Sequence, residues 1–283
     1  MAGRQPPSVR ARQLARELRD LRTHGGRTID QVADGLGWSS AKVSRIETAY
    51  TLITVADLQR LLEFYGVADA EADRYVKLAK RARERGWWET YIDTLTERYA
   101  AYIGLEADAQ AKYTHRVAVI EGLLQTEAYA RETIKAWPEP TPPKEVERLV
   151  QIRLRRQSRL RSIEPLEVVA LLDEGLLRRR IAAADVMRGQ LRHLLELAIL
   201  PNVTIRVISL ERGSPLVMSD FSVLKFQEPE YPEVVHIEQM SGSLIVEDDS
   251  QVFRYTSAFE RIREDSLSEA DSLQLIERIA DEY

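Results

Sequence analysis

The stretch Thr28-Ile29-Asp30-Gln31-Val32-Ala33-Asp34-Gly35-Leu36-Gly37-Trp38-Ser39-Ser40-Ala41-Lys42-Val43-Ser44-Arg45-Ile46-Glu47 decides the fold of the first quarter of the chain. It reads as two short helices joined by a tight turn. Thr28 and Gln31 have capping-box spacing, so each side chain can satisfy an orphan backbone donor at the start of the first helix. Val32, Ala33 and Leu36 recur at helical spacing and mark one apolar face. Gly37 follows, where a left-handed backbone is cheap for glycine alone, and it ends the helix. Ser39 is placed to cap a second helix, which buries Val43 and Ile46 and turns Ser40, Ala41, Lys42, Ser44 and Arg45 outward. That is the geometry of a helix-turn-helix whose second helix enters a DNA major groove. The plainer reading is a helical hairpin used only for protein contact.

Composition sets wide bounds. A chain of 283 residues has room for two domains, and 44% apolar with 30% charged residues fits a soluble globular protein. With no cysteine, structural disulfides and thiolate metal sites are excluded. The opening Met1-Ala2-Gly3-Arg4-Gln5-Pro6-Pro7 has no apolar core of the secretory kind. No run approaches the ~18 apolar residues that span a bilayer, so a cytoplasmic protein without a membrane partner is expected. The net charge of −5 speaks against nucleic acid, but the distribution speaks for it. Residues 1–66 hold ten Lys and Arg against seven Asp and Glu. At the start of that segment Arg4, Arg10, Arg12, Arg16, Arg19, Arg22 and Arg27 face only Glu17 and Asp20. The local field, not the total, attracts phosphate. Alternatively the arginines simply decorate a solvated helix, the better reading for Arg16 and Arg19.

The expected fold class is α+β in three parts. Residues 1–68 form an all-α, five-helix DNA-binding domain with helices near 10–24, 28–36, 39–47, 54–64 and from 69. Residues 69–100 form a helical connector, broken at Gly86-Trp87-Trp88. Its basic run (Lys77, Lys80, Arg81, Arg83, Arg85) is read as a solvated face rather than a DNA contact. Trp87 and Trp88, beside Tyr91 and Ile92, are read as plugging a domain junction. Residues 101–283 form an α+β domain with helices packed on a mostly antiparallel sheet. Helices are expected at 126–137, 143–161, 185–199, 249–264 and 268–282. Strands rich in β-branched and aromatic residues are expected at 166–172, 203–210, 220–226, 233–238 and 243–247, with Pro229 and Pro232 punctuating one loop.

Residues 10–66, and above all Ser39-x-x-Lys42-Val43-Ser44-Arg45-Ile46-Glu47 with Leu21-Arg22, resemble the XRE group of bacterial helix-turn-helix repressors. The resemblance implies that Arg22 pairs with Glu47, a partly buried pair that fixes geometry. It also places Ser40, Ala41 and Arg45 at base-reading positions. Arg45 is the strongest candidate, because a guanidinium donates two hydrogen bonds to guanine O6 and N7. Lys42 is a phosphate contact or a flank reader, and Ser44 could serve either role. Thr28 and Ser39 stand at helix starts, where they can both cap and bind phosphate oxygens. The chain leaves the family pattern after Glu47, where a glycine and a basic residue are replaced by Ala49 and Tyr50. Alanine in a left-handed cap is strained by ~1 kcal/mol or more, and a phosphate-binding cation is missing. Weaker non-specific affinity or a differently shaped loop is therefore expected. Gly35 inside the first helix of the motif is a soft spot of ~1 kcal/mol against alanine.

The rest of the chain resembles the C-terminal domain of antitoxin-like actinobacterial XRE regulators, whose genes neighbour one for a small partner protein. The matching pieces are Val119–Thr126, Tyr129-Ala130-Arg131, Arg153–Gln157, Leu172–Arg179 and Pro201–Ile205. Members usually carry proline before Gly-Leu-Leu-Gln-Thr; here Glu121 stands there. The resemblance implies a transcriptional regulator, repressor or antitoxin-like, whose C-terminal domain binds a small partner protein. A sensor with a small-molecule pocket is the alternative. A recognition helix covers about half an operator, so a homodimer on an inverted repeat of double-stranded DNA is expected, with half-sites ~10–10.5 bp apart or multiples of that.

Nothing in the motifs argues for catalysis or a cofactor. His24, His115, His193 and His236 are scattered without metal-ligand spacing, and are read as surface or core histidines. There is no P-loop, G-x-G-x-x-G or G-x-S-x-G. Asp173-Glu174 is the one tempting acidic pair, and a cap is its simpler role. Residues 226–253 hold Glu228, Glu230, Glu233, Glu238, Glu247, Asp248 and Asp249 with no lysine or arginine; solvated loops explain them, and an acidic face for a basic partner is the sharper alternative. An enzyme carrying a DNA-targeting head is the remote alternative.

Overall fold

The computed structural model describes residues 9–83, 86–91, 93–138, 140–211, 219–226, 232–239 and 242–283. Arg4, Arg85, Ile92, Glu228, Pro229 and Glu230 lie outside the described residues. The chain forms two compact units, Met1–Glu89 and Thr90–Tyr283. No described helix is long and apolar enough to cross a membrane.

The first unit is helical: α1 (Val9–His24), α2 (Ile29–Leu36), α3 (Ser40–Glu47), α4 (Val55–Tyr65) and α5 (Asp69–Ala82). Leu14, Leu18, Val32, Val43, Ile46, Leu58, Leu61 and Leu62 are buried in its core. The start of α2 carries the full capping box between Thr28 and Gln31, and Gly37 closes the helix at φ 67°. Ser39 caps α3 by accepting from the Lys42 backbone N–H at 3.2 Å. The helix expected to begin a connector, α5, packs against α1 inside this unit. Small side chains permit that approach: Ala11, Ala15, Ala49 and Ala82 form one buried cluster.

That cluster explains the departure after Glu47. Ala49 keeps the left-handed conformation, φ 53°, that glycine would adopt without strain. The Thr51 N–H reaches the Arg45 carbonyl at 3.0 Å, closing the end of α3. The loop therefore retains the left-handed shape, and the buried alanine methyl gives packing that glycine lacks. Gly35 is likewise more than a weak point. A Cβ there would lie 2.3 Å from the Phe64 ring, so the glycine is what lets α4 press this ring onto α2.

The second unit follows the order α6 (Glu97–Asp108), β1 (Ala111–Arg116), α7 (Glu127–Lys135), α8 (Pro143–Gln157), β2 (Glu167–Asp173), α9 (Glu174–Arg178), α10 (Ala184–Leu197), β3 (Val203–Ile208), β4 (Phe221–Lys225), β5 (Val234–Gln239), β6 (Gly242–Val246), α11 (Asp249–Asp265) and α12 (Glu269–Glu282). It is an α+β arrangement around one six-stranded mixed sheet, ordered β3-β2-β1-β4-β5-β6. The pairs β1–β2 and β2–β3 are parallel, with helical crossovers, and the three pairs from β1 to β6 are antiparallel. One face is apolar, where Val169, Leu171, Phe221, Val223, Val235 and Ile237 pack with Phe259 and Ile262 of α11.

The sequence reading marks neither α6 nor β1, yet β1 is a central strand. Ala111-Lys112-Tyr113-Thr114-His115-Arg116 looks too polar for a buried position. In the fold Lys112 and Thr114 are completely buried, and Arg116 nearly so. Charges reach such depth only when they are paired and hydrogen-bonded, and the carboxylate partners, Glu106 and Glu121, come from α6 and the loop after β1.

Candidate functional site

In the first unit, α3 is held from behind and open in front. Arg22 of α1 donates from Nε and Nη2 to the two carboxylate oxygens of Glu47, at 2.7 and 2.9 Å. Its Nη1 donates to the Arg27 carbonyl at 2.8 Å. The fork is buried and bidentate, the strong form of such a bond, and it ties the end of α3 to α1 and to the turn before α2.

The outward residues divide into two groups. Arg45 is exposed, and its side chain has no hydrogen-bond or ion-pair partner among the described residues. Ala41 is exposed beside it, and Ser44 is half-buried. Ser40, also exposed, donates its hydroxyl to Asp30 of α2. Lys42 is committed to structure: its Nζ pairs with Asp57 at 2.9 Å and lies 3.9 Å from the centre of the Trp38 ring. Partial burial would raise the Asp57 carboxyl, but Lys42 holds it below the ordinary range. Arg60 donates to the Leu36 carbonyl at 2.9 Å and also lies over Trp38. These contacts fasten the turn between α2 and α3 to α4. Thr28 and Ser39 act as caps with exposed side chains. Of the basic run after Lys77, Arg83 donates to the Ile53 carbonyl at 2.9 Å and so clamps the loop before α4.

The second unit holds a buried charged network on the face of the sheet opposite α11. Lys112 donates to Glu106 at 2.7 Å, to Glu121 at 2.6 Å and to the Tyr102 hydroxyl. Arg116 donates to Glu121 from Nε at 2.9 Å and from Nη2, and Thr114 adds a bond at 3.2 Å. Arg156 of α8 forks onto Glu106 at 2.6 and 2.8 Å and donates to the Tyr99 hydroxyl. Burial alone would raise both carboxyls. The charges of Arg156 and Lys112 instead hold Glu106 down at about 2, and Arg116 and Lys112 hold Glu121 well below its ordinary range.

A cavity of about 400 Å³ opens beside this network. Its lining includes Arg116, Arg153, Arg156, Tyr99, Tyr102 and His236, with apolar wall from Val117 to Ile120 and Trp137. Strand register aligns Thr114, Ser222 and His236 in one row across β1, β4 and β5. The His236 ring stacks on Tyr102 with centroids 3.7 Å apart. Both of its ring nitrogens are buried without a hydrogen-bond partner, a cost of about 1–3 kcal/mol for each such group. Burial, then the positive charges of Arg116 and Lys112, push its pKa down to about 3, so the imidazole is neutral near pH 7. Arg153 donates from Nη1 to Gln125 Oε1 at 2.7 Å and to Thr133 at 3.1 Å. Its Nε is buried without a partner.

A family model described as a domain of unknown function (DUF5753) matches residues 99–278, well over half of the chain. The chain belongs to the DUF5753 family. A second model, a helix-turn-helix domain, matches residues 13–75, which is the DNA-binding module of a regulator. No curated protein and no solved structure matches the chain. The DUF5753 match runs from within α6 to within α12, and therefore contains the sheet, the charged network and the cavity.

Within the DUF5753 domain, the residues singled out from sequence take structural roles. Asp173 caps α9 by accepting from the Gly175 N–H at 2.7 Å, and Glu174 pairs with Arg178. Glu233 pairs with Lys225, Glu238 lies 3.6 Å from Arg116, and Asp248 caps α11. His115 bonds to the Ser219 carbonyl. The sequence reading missed Glu106, Lys112, Arg116, Arg153, Arg156 and His236 as a set. One signal was available: Glu121, standing where the resembling regulators carry proline, is the carboxylate that joins Lys112 to Arg116.

Proposed function

We propose that the protein is a sequence-specific transcriptional regulator of the XRE type that binds an inverted-repeat operator as a homodimer. The recognition helix α3 enters the major groove, with Arg45 reading a guanine and Ala41, Ser40 and Ser44 completing the contact surface. Thr28 and Ser39 approach phosphates at the helix starts. Lys42, engaged by Asp57, braces the motif and makes at most a flanking contact. The observation that carries this reading is the exposed Arg45, free of partners among the described residues, on a helix locked by the buried Arg22–Glu47 fork.

The C-terminal domain, on this reading, receives the signal that alters operator binding. It is not assigned a catalytic role. The effector is either a small neighbour-encoded protein, the antitoxin-like arrangement, or a small molecule. The unmet hydrogen-bonding groups of Arg153 and His236, which line the cavity, favour the small molecule, while Glu233, Glu238 and Asp248 of the acidic stretch have partners within the domain.

Selection from a random-sequence duplex library tests the reading. The wild-type protein should enrich an inverted repeat with guanine at one defined half-site position. Arg45→Ala should lose discrimination there, worth ~1–3 kcal/mol, while its weak binding to random sequence stays nearly unchanged. Enrichment of no motif overturns the assignment, and equal loss on all DNA removes Arg45 from base readout.

A further inference from the structure

From the cavity in the second unit we infer a binding site for a small aromatic monocarboxylate, held by Arg153 at its charged end and by His236 at a hydrogen-bonding substituent. This deepens the effector reading above and rests on it only for the consequence to DNA binding. Each cation of the buried network already has a carboxylate: Lys112 has Glu106 and Glu121, Arg116 has Glu121, and Arg156 has Glu106. Arg153 is different. It lines the cavity, its hydrogen bonds go to two neutral side chains, and its Nε is buried and unmet. A guanidinium in that state offers a ready fork to a carboxylate.

His236 supplies the second point. It is 2% exposed, lines the cavity, and leaves both ring nitrogens without partners. A neutral imidazole presents one donor and one acceptor, which suits a hydroxyl or amide group of a ligand. The body between these points is set by Tyr99, Tyr102 and Trp137 together with Val117, Val119 and Ile120. Aromatic and aliphatic walls with few polar anchors are the usual make-up of a small-molecule site, and flat rings complement them. Trp137 lines the cavity and is 42% exposed, so it is accessible to an incoming ring. Glu121, Asp220 and Glu238 also line the cavity, and they disfavour a dianion such as a phosphate monoester.

The test uses full-length protein and three acids, benzoate, 4-hydroxybenzoate and indole-3-acetate, each beside its uncharged amide, in isothermal titration calorimetry near pH 7. At least one acid should bind below about 1 mM and about tenfold or more tighter than its amide. Arg153→Gln should erase that preference for the acid, and His236→Phe should weaken 4-hydroxybenzoate more than benzoate. Melting curves of both variants verify folding. If His236→Phe fails to fold, Arg153→Gln decides alone. Binding of none of the three acids, equal binding of acid and amide, or a preference surviving in Arg153→Gln overturns the site. Fluorescence anisotropy on the selected operator separates the two readings. Acid binding that leaves operator affinity unchanged sustains the site and overturns the effector role; operator binding without acid binding does the reverse for the site.

Discussion

Arg22 and Glu47, 25 positions apart in the chain, meet in a buried bidentate ion pair with both nitrogen–oxygen distances under 3 Å. Such a pair adds little net stability over an apolar replacement, because both charges lose their water. Its value is geometric, since it sets the angle at which α3 is presented. Removing one partner leaves a buried charge alone. Arg22→Ala should therefore destabilise the first unit by ~3–5 kcal/mol, read as a lowered melting transition. An unchanged transition would remove the pair from the account of the fold.

Tyr50 is 57% exposed just past α3, where the resembling repressors carry a basic residue. Tyr50→Arg should add one phosphate contact. The expected outcome is tighter binding to random-sequence duplex, and a plot of log K against log salt steeper by ~0.9. Specificity should hardly change, because phosphate contacts carry no sequence information. An unchanged salt slope would place this loop away from the DNA backbone.

Glu121 is the carboxylate shared by Lys112, Arg116 and Thr114. Glu121→Gln keeps the shape but leaves Arg116, among the described residues, with the Ser222 hydroxyl and the more distant carboxylates of Asp220 and Glu238, at 3.8 and 3.6 Å. A loss of ~3–5 kcal/mol is expected, confined to the second unit and leaving the first unit's transition in place. Differential scanning calorimetry separates the two. A loss under ~1 kcal/mol would mean that water or relaxation compensates the network.

The buried histidine gives stability a pH dependence with a defined sign. Below its ordinary 6.5 the unfolded chain takes up a proton on His236 that the folded chain refuses until about 3. Stability from this group is complete above pH 6.5 and declines as pH falls, by up to ~1.4 kcal/mol per pH unit. Glu106, held at about 2 against an ordinary 4.5, adds its own loss below pH 4.5. Denaturant melts of the wild type should weaken from pH 6.5 toward 5, and His236→Phe should remove much of that slope. Around the ring, Arg116 and Arg156 are pushed up and Glu121 is held down, so these neighbours keep their charges in this window and the difference isolates His236. Identical slopes in the two proteins would show that the ring is solvated.

The helix-turn-helix was legible because its signals are short-range. Thr28, Gln31, Gly37 and Ser39 act on backbone groups within a few residues, and the apolar spacing of Val32, Val43 and Ile46 needs no distant partner. The same holds for β2 and β3, whose β-branched runs announce buried strands. β1 was illegible because its alternate residues are polar or charged, and their burial depends on partners outside the strand. Lys112 and Arg116 read as surface residues until Glu106, Glu121 and Ser222 are brought against them. Gly35 shows a smaller case: propensity marks it as a weakness, and only the Phe64 ring packed against it shows why no Cβ fits.

The order of residues alone thus determined the helix-turn-helix, its caps, the outward face of α3 and the α+β character of the C-terminal domain, since those depend on contacts local in the chain. The three-dimensional arrangement alone decided that Lys42 is engaged by Asp57, that a polar strand lies at the centre of the sheet, and that His236 and Arg153 line one cavity. Burial, charge pairing and strand register join residues more than a hundred positions apart, and no local pattern encodes which of them will meet.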